Sequence, residues 1–211
     1  MLKIQADSRQ VPSIEKYTAD KKYHDILYGV LQEMSYGEKL PGQDVMNRYV
    51  NKKDFTYEIL GNKVGLKRVS ASKYFKNLID LGLIEEDKEG KRYKLLYLDK
   101  SIATLIPFET LRKLNNSLNH NAISIYVYLL KRYIAVGEKE YVYTRNQLKA
   151  FCGIAQNTNS NDEVVADIME VLEILGLIER KYVQGEDNKT ITYITRVRNQ
   201  IKGVDVDIRG N

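Results

Sequence analysis

The chain has 211 residues, 43% of them apolar and 29% charged, with one cysteine, two histidines and a net charge of +5. That apolar share fills a core and excludes a disordered tail, the single Cys152 excludes a disulfide framework, and no run nears the roughly 18 uncharged apolar residues of a membrane span. Residues 1–100 hold 19 Lys and Arg against 15 Asp and Glu, whereas residues 101–211 hold 14 against 13, so the positive excess that suits a polyanionic partner lies in the first half.

The opening, MLKIQADSRQ, lacks the apolar core of a secretion signal. With the lone cysteine, this sets the cytoplasm as the expected location and no membrane as partner. Residues 1–20 read as an N-terminal arm. Residues 21–37 place Ile26, Leu27, Val30, Leu31 and Met34 at helical spacing, one apolar face on an otherwise polar segment. Thr56 can cap a second helix to about Val64, with Ile59 and Leu60 inward and Gly65 supplying the turn. A third helix is expected over residues 69–81, with Ala71, Tyr74, Phe75, Leu78 and Leu81 inward and Gly82 as its stop. A short strand (Leu83, Ile84), a charged turn centred on Gly90 and an apolar-rich strand YKLLYL over residues 93–98 complete a unit spanning residues 21–100.

Residues 101–118, with Pro107 and the amphipathic piece FETLRKL, read as a structured linker containing a short helix. A second unit follows over residues 119–198. Its first helix, over residues 119–133, buries Ala122, Ile123, Tyr126, Leu129 and Leu130. Thr144 caps the second, where Leu148, Phe151 and Cys152 pack, and Asp162 caps the third, with Val165, Ile168, Leu172 and Leu175 inward. Gly176 ends that helix, and a hairpin over residues 177–197 turns near Gly185. Residues 199–211, a C-terminal tail, show little periodicity.

The two units are copies of one pattern. LIDLGLIE at residues 78–85 and LEILGLIE at residues 172–179 share six of eight positions, offset by 94. FTYEILGNKVG at residues 55–65 parallels YTRNQLKAFCG at residues 143–153, offset by 88, so the second copy carries six extra residues between these blocks. The order helix, helix, turn, helix, hairpin predicts an α+β, mainly α fold of two winged helix-turn-helix domains in tandem. In that arrangement the second helix packs across the third, and the small Ala71 suits their close crossing.

Both copies resemble winged-helix domains of bacterial DNA-binding proteins through T-x-x-x-L, a turn glycine, a lysine-bearing helix in the first copy and L-G-L-I-E. The run IPFETLRKLNNSLNHNAISIYVYLLKRY followed by YVYTRNQLKAFCG is also similar to the helix-turn-helix domains of replication initiators from Gram-positive plasmids and phages, and to the N-terminal domains of DnaD-type primosome proteins. The resemblance implies double-stranded DNA as the partner and a hairpin that acts as the wing.

Charge places the DNA contact on the first unit. From Gly61 to Phe75 there are four bases, Lys63, Lys67, Arg68 and Lys73, and no acid; Lys76 follows at once. The outward residues of the third helix are Ser70, Ser72, Lys73, Lys76 and Asn77. Lys and Arg neutralise phosphates or reach guanine, and Asn pairs with adenine in the major groove. A recognition helix enters N-terminus first, so Arg68, Ser70, Ser72 and Lys73 are the base-reading candidates, with Lys91 and Arg92 at the wing. The alternative is an ordinary solvated helix face.

In the second unit the third helix carries Asp162, Glu163, Asp167, Glu170 and Glu173, which repel phosphate. Its neutral lead-in offers Gln156, Asn157, Thr158 and Asn159 as base readers if the loop faces a groove, and Arg145, Lys149, Arg180, Lys181 and Lys189 as phosphate grips. The alternative is a unit that uses the fold for dimerisation or for docking a replication or transcription protein.

Two distant histidines and one cysteine give no zinc spacing, no glycine-rich phosphate loop occurs, and Cys152 lies on an apolar helix face. The expectation is therefore a protein with no metal, no cofactor and no enzymatic activity. Its expected task is sequence-specific DNA binding in plasmid or phage replication initiation or its control, with a transcriptional repressor and a protein–protein scaffold as alternatives. Paired half-sites make a homodimer the expected assembly.

Overall fold

A computed structural model describes residues 8–12, 23–38, 47–87, 89–96, 98, 103–117, 120–152, 154–155, 159–185 and 190–198. Within them the chain is α+β, with seven helices and small antiparallel sheets.

The first module starts with α1 (His24–Met34), then β2 (Tyr36–Glu38) and β3 (Asn47–Asn51), α2 (Tyr57–Val64), α3 (Arg68–Asp80), β4 (Ile84–Glu86) and β5 (Arg92–Leu95). Its strands form one antiparallel sheet in the order β2-β3-β5-β4. The second module runs α5 (His120–Ala135), β7 (Tyr141–Val142), α6 (Arg145–Cys152), α7 (Asn159–Ile174), β8 (Ile178–Gln184) and β9 (Thr190–Val197), with sheet order β7-β9-β8. Between them lie β6 (Ala103–Pro107) and α4 (Phe108–Ser117), and β6 pairs antiparallel with β1 (Ser8–Pro12).

The sequence repeat is a repeat of hydrogen bonds. Thr56 Oγ1 accepts from the Ile59 N–H and Thr144 Oγ1 from the Gln147 N–H, each at 3.2 Å. Leu66 N–H donates to Gly61 O at 2.8 Å, and Ile154 N–H to Lys149 O at 2.9 Å. Past the third helix, Leu83 N–H reaches Leu78 O and Leu177 N–H reaches Leu172 O, both at 2.9 Å, around glycines at φ +65° (Gly82) and +67° (Gly176). Only a residue without Cβ takes that conformation freely. Both hairpins then begin in the same register, Ile84 opposite Leu95 and Ile178 opposite Val197.

One feature shared by the modules is built differently in each. A Cβ on Gly61 would come within 2.4 Å of the Leu66 carbonyl oxygen and 3.3 Å of the Ala71 Cβ, so glycine there is what lets α2 and α3 cross closely. The equivalent position in the second module is Lys149. It is 1% exposed, and its amine pairs at 2.7 Å with Asp162 of α7.

Several expectations are corrected by long-range packing. The first helix does not bury one stripe: every residue from His24 to Gln32 is buried, because α1 packs against α2 and α3 of its own module and against α4 and α5 beyond it. The stretch over residues 101–118 holds Ile106, Leu111 and Leu114, all at 0% exposure and part of a core continuous through both modules. Ser124 of α5 donates to the buried Asp25 carboxylate of α1 at 2.8 Å, while the other Asp25 oxygen takes the Ile26 N–H. Ile59, expected inward, is 43% exposed. Asp162 is not the cap of α7: that helix starts at Asn159, which places Asp162 in its first turn, facing Lys149. Asn159 thereby belongs to a helix and not to a lead-in loop. The C-terminal tail and most of the N-terminal arm lie outside the described residues.

Candidate nucleic-acid interface

α3 exposes Lys67, Arg68, Val69, Lys73 and Lys76, while Ser70, Ser72 and Asn77 are half-buried along its flanks. Ala71, Phe75 and Leu78 anchor the opposite side at 0% exposure. The anchor is aromatic: Phe75 stacks within 4.9 to 5.6 Å of Tyr93, Phe55 and Tyr57. A rigid floor of this kind fixes the direction in which the outer residues point. Lys73 Nζ lies 6.0 Å from the Tyr74 ring centroid.

Lys67 caps α3 with no side-chain hydrogen bond, and no acid occupies the first turn. Cations at the positive end of a helix are unfavourable by roughly 0.3–1 kcal/mol each, so Lys67 and Arg68 work against the stability of α3 unless an anion lies before them. α7 obeys the ordinary rule, with Asp162 in its first turn. By the 94-residue offset, Arg68, Lys73 and Lys76 correspond to Asp162, Asp167 and Glu170. The two modules therefore carry opposite charge at matched positions of one scaffold.

Lys63, at the last turn of α2, is exposed and pairs with Glu33 at 3.3 Å. Arg68 shares a cleft with Lys52, Phe55, Thr56, Tyr57, Glu58 and Tyr93. Lys52, over the Tyr93 ring and paired with Glu86, joins the Arg68 side of the surface from outside α3, where the period of that helix gives no sign of it. The Lys52-Lys53 pair shortly before Thr56 was the available signal.

At the hairpin, Lys91 is exposed and pairs with Glu89 at 3.1 Å. Arg92 is a correction. Its Nε donates to Asp87 at 2.7 Å, and its Nη1 reaches Tyr36 and Glu38. The Tyr36 hydroxyl, with Asp87 and Glu38, drives the guanidinium further towards its charged form. Arg92 also stacks 4.0 Å from the Tyr49 centroid. It closes the turn and is committed to its own sheet.

In the second module Arg145 and Lys181 are exposed. Two of the other expected grips are corrected. Lys149 is buried against Asp162. Arg180 is half-buried, and its guanidinium donates to Glu173 at 2.6 and 3.0 Å; burial works against its charge, but Glu173 and Tyr143 outweigh that and raise its pKa. Gln156, Asn157, Thr158, Lys189 and the side chain of Asn159 lie outside the described residues. The outer face of α7 exposes Glu163, Asp167 and Glu170.

Cys152 is buried, and burial together with the nearby Asp25 carboxylate pushes its thiol pKa up, which opposes thiolate chemistry. Among the described residues no group of three or more His, Cys, Asp or Glu is placed to hold a metal ion, and no helix is long and apolar enough to cross a membrane. No family model, curated protein or solved structure matches this chain.

Proposed function

We propose that this protein binds double-stranded DNA sequence-specifically through the first of two tandem winged-helix units, in replication initiation or its control on a plasmid or phage. The reading rests on one observation above others: α3 projects four exposed cations from a core-anchored face, two of them where the helix dipole disfavours positive charge. Phosphate at the mouth of a groove removes that penalty. Arg68 at the helix start and Lys73 five residues on are within reach of base edges, and Lys67, Lys76, Lys63 and Lys91 border them as phosphate contacts. The β4–β5 turn acts as the wing, held in shape by the Arg92–Asp87 pair.

The second unit serves a different end. Acids replace Arg68, Lys73 and Lys76 at equivalent positions, and Lys149 and Arg180 are spent on internal carboxylates, so its α7 face suits a protein partner better than DNA.

A salt titration of duplex affinity tests the proposal. Four phosphate contacts give a slope of log affinity against log salt of about −3 to −4. Arg68→Ala or Lys73→Ala, each removing one side chain from a base edge, lowers specific affinity by roughly 1–3 kcal/mol, with melting unchanged. No duplex binding at low salt defeats the reading.

A further inference from the structure

Val69 is 81% exposed, the most exposed of the large apolar side chains among the described residues. Among the described residues nothing packs on it. It belongs neither to the core nor to the hydrophobics packed on the core, and a β-branched residue on a solvated helix position is a poor choice by propensity. Its place is the informative part. Val69 heads the outward stripe of α3, followed at i+4 and i+7 by the exposed Lys73 and Lys76 and preceded by Arg68. It thus sits in the first helical turn, the turn that goes deepest when a helix enters a groove by its N-terminus. An isolated exposed valine elsewhere would need no explanation. Here it is an apolar group at the tip of a charged reading face.

In the major groove of DNA only one base edge presents an apolar group, the C5-methyl of thymine. We infer that Val69 reads a thymine methyl, which makes it a specificity residue and makes a thymine at one fixed position part of the target site. The inference rests on the proposal that α3 reads duplex DNA. It adds a chemical identity that the cations do not supply, since Lys and Arg favour guanine and phosphate. Lys73 and Arg68 set the register, and the valine methyls then meet the thymine methyl and exclude water from both. A cytosine at the same place offers no methyl group and brings an amino donor against an apolar surface, which is unfavourable.

The experiment starts from a duplex selected from random DNA with the full-length protein. Each thymine in the selected site is replaced singly by deoxyuridine, which removes the methyl and leaves base pairing intact. Wild-type affinity is expected to fall roughly fourfold at one or two positions, the effect expected for one buried methyl, and to stay level elsewhere. Val69→Ala is expected to bind the thymine site several-fold more weakly and to show no further weakening with deoxyuridine there. Because Val69 is exposed, melting curves of the variant should overlay wild type. Indifference of the wild type to every thymine-to-deoxyuridine change overturns the inference, as does an equal penalty in Val69→Ala. If Arg68→Ala and Lys73→Ala still weaken binding in that case, DNA reading by α3 stands and only the thymine reading falls. Failure to select any duplex overturns both.

Discussion

Lys149 and Asp162 test whether the second module is built on an ion pair where the first uses a close helix crossing. The amine is 1% exposed and lies 2.7 Å from the Asp162 carboxylate, which is itself 37% exposed. Removing one partner of a fully buried pair costs about 3–5 kcal/mol, because a charge is left unpaired in the interior. Water reaches one side of Asp162, and the Asn carbonyl retains one acceptor, so Asp162→Asn should cost about 2–3 kcal/mol. For a chain of this length that lowers Tm by roughly 4–12 °C. Lys149→Met keeps the length of the stem without the charge and should lie within about 1 kcal/mol of wild type, with the half-exposed carboxylate left to water. The double variant should then match Lys149→Met alone, since the penalty of Asp162→Asn exists only while the ammonium is present. Thermal and urea melts of the four proteins give the coupling directly. Unchanged melting for Asp162→Asn, or a double variant whose destabilisation equals the sum of the two single ones, refutes the reasoning.

Gly61→Ala should destabilise by about 1–3 kcal/mol, because the new Cβ meets the Leu66 carbonyl at 2.4 Å and backbone cannot move aside cheaply; wild-type melting would show the crossing to be looser than described. A Cβ at Gly82 meets no atom within 4 Å, so the cost of about 1–2 kcal/mol for Gly82→Val comes chiefly from a β-branched residue at φ +65°; Gly82→Asn should recover part of it, and equal destabilisation in the two variants would argue against backbone strain. Ser124→Ala takes a hydrogen bond from the buried Asp25 carboxylate and should cost about 1–3 kcal/mol, and a neutral result in urea melts would mean that the α1–α5 contact contributes little. Burial and Asp25 raise the Cys152 pKa, so at pH 8 the thiol stays protonated and a disulfide reagent should label native protein only as fast as it opens; immediate labelling would contradict the burial.

Features encoded within a few neighbouring residues were legible in the amino-acid order alone. The 3.6-residue period marked α2, α3, α6 and α7, Thr56 and Thr144 marked two helix starts, Gly82 and Gly176 marked two stops, and the repeat itself was readable as LGLIE twice. Of the outward set that the same period gives for α3, Lys73 and Lys76 are exposed, while Ser70, Ser72 and Asn77 are half-buried along its flanks. Long-range packing set the rest. Strand β1 pairs with a segment about a hundred residues away, and no local pattern in either names the other. α1 is buried from His24 to Gln32 because β1, α4 and α5 cover the face its own module leaves open. Arg92, Lys149 and Arg180 are as basic in sequence as Lys67, yet each meets a carboxylate from another element, Glu38 of β2 for Arg92, Asp162 of α7 for Lys149 and Glu173 of α7 for Arg180. Whether a cation faces solvent or a partner depends on which distant residue the fold brings within about 4 Å, since attraction weakens with distance and is screened by water. Periodicity fixes the direction of a side chain, but not what it meets.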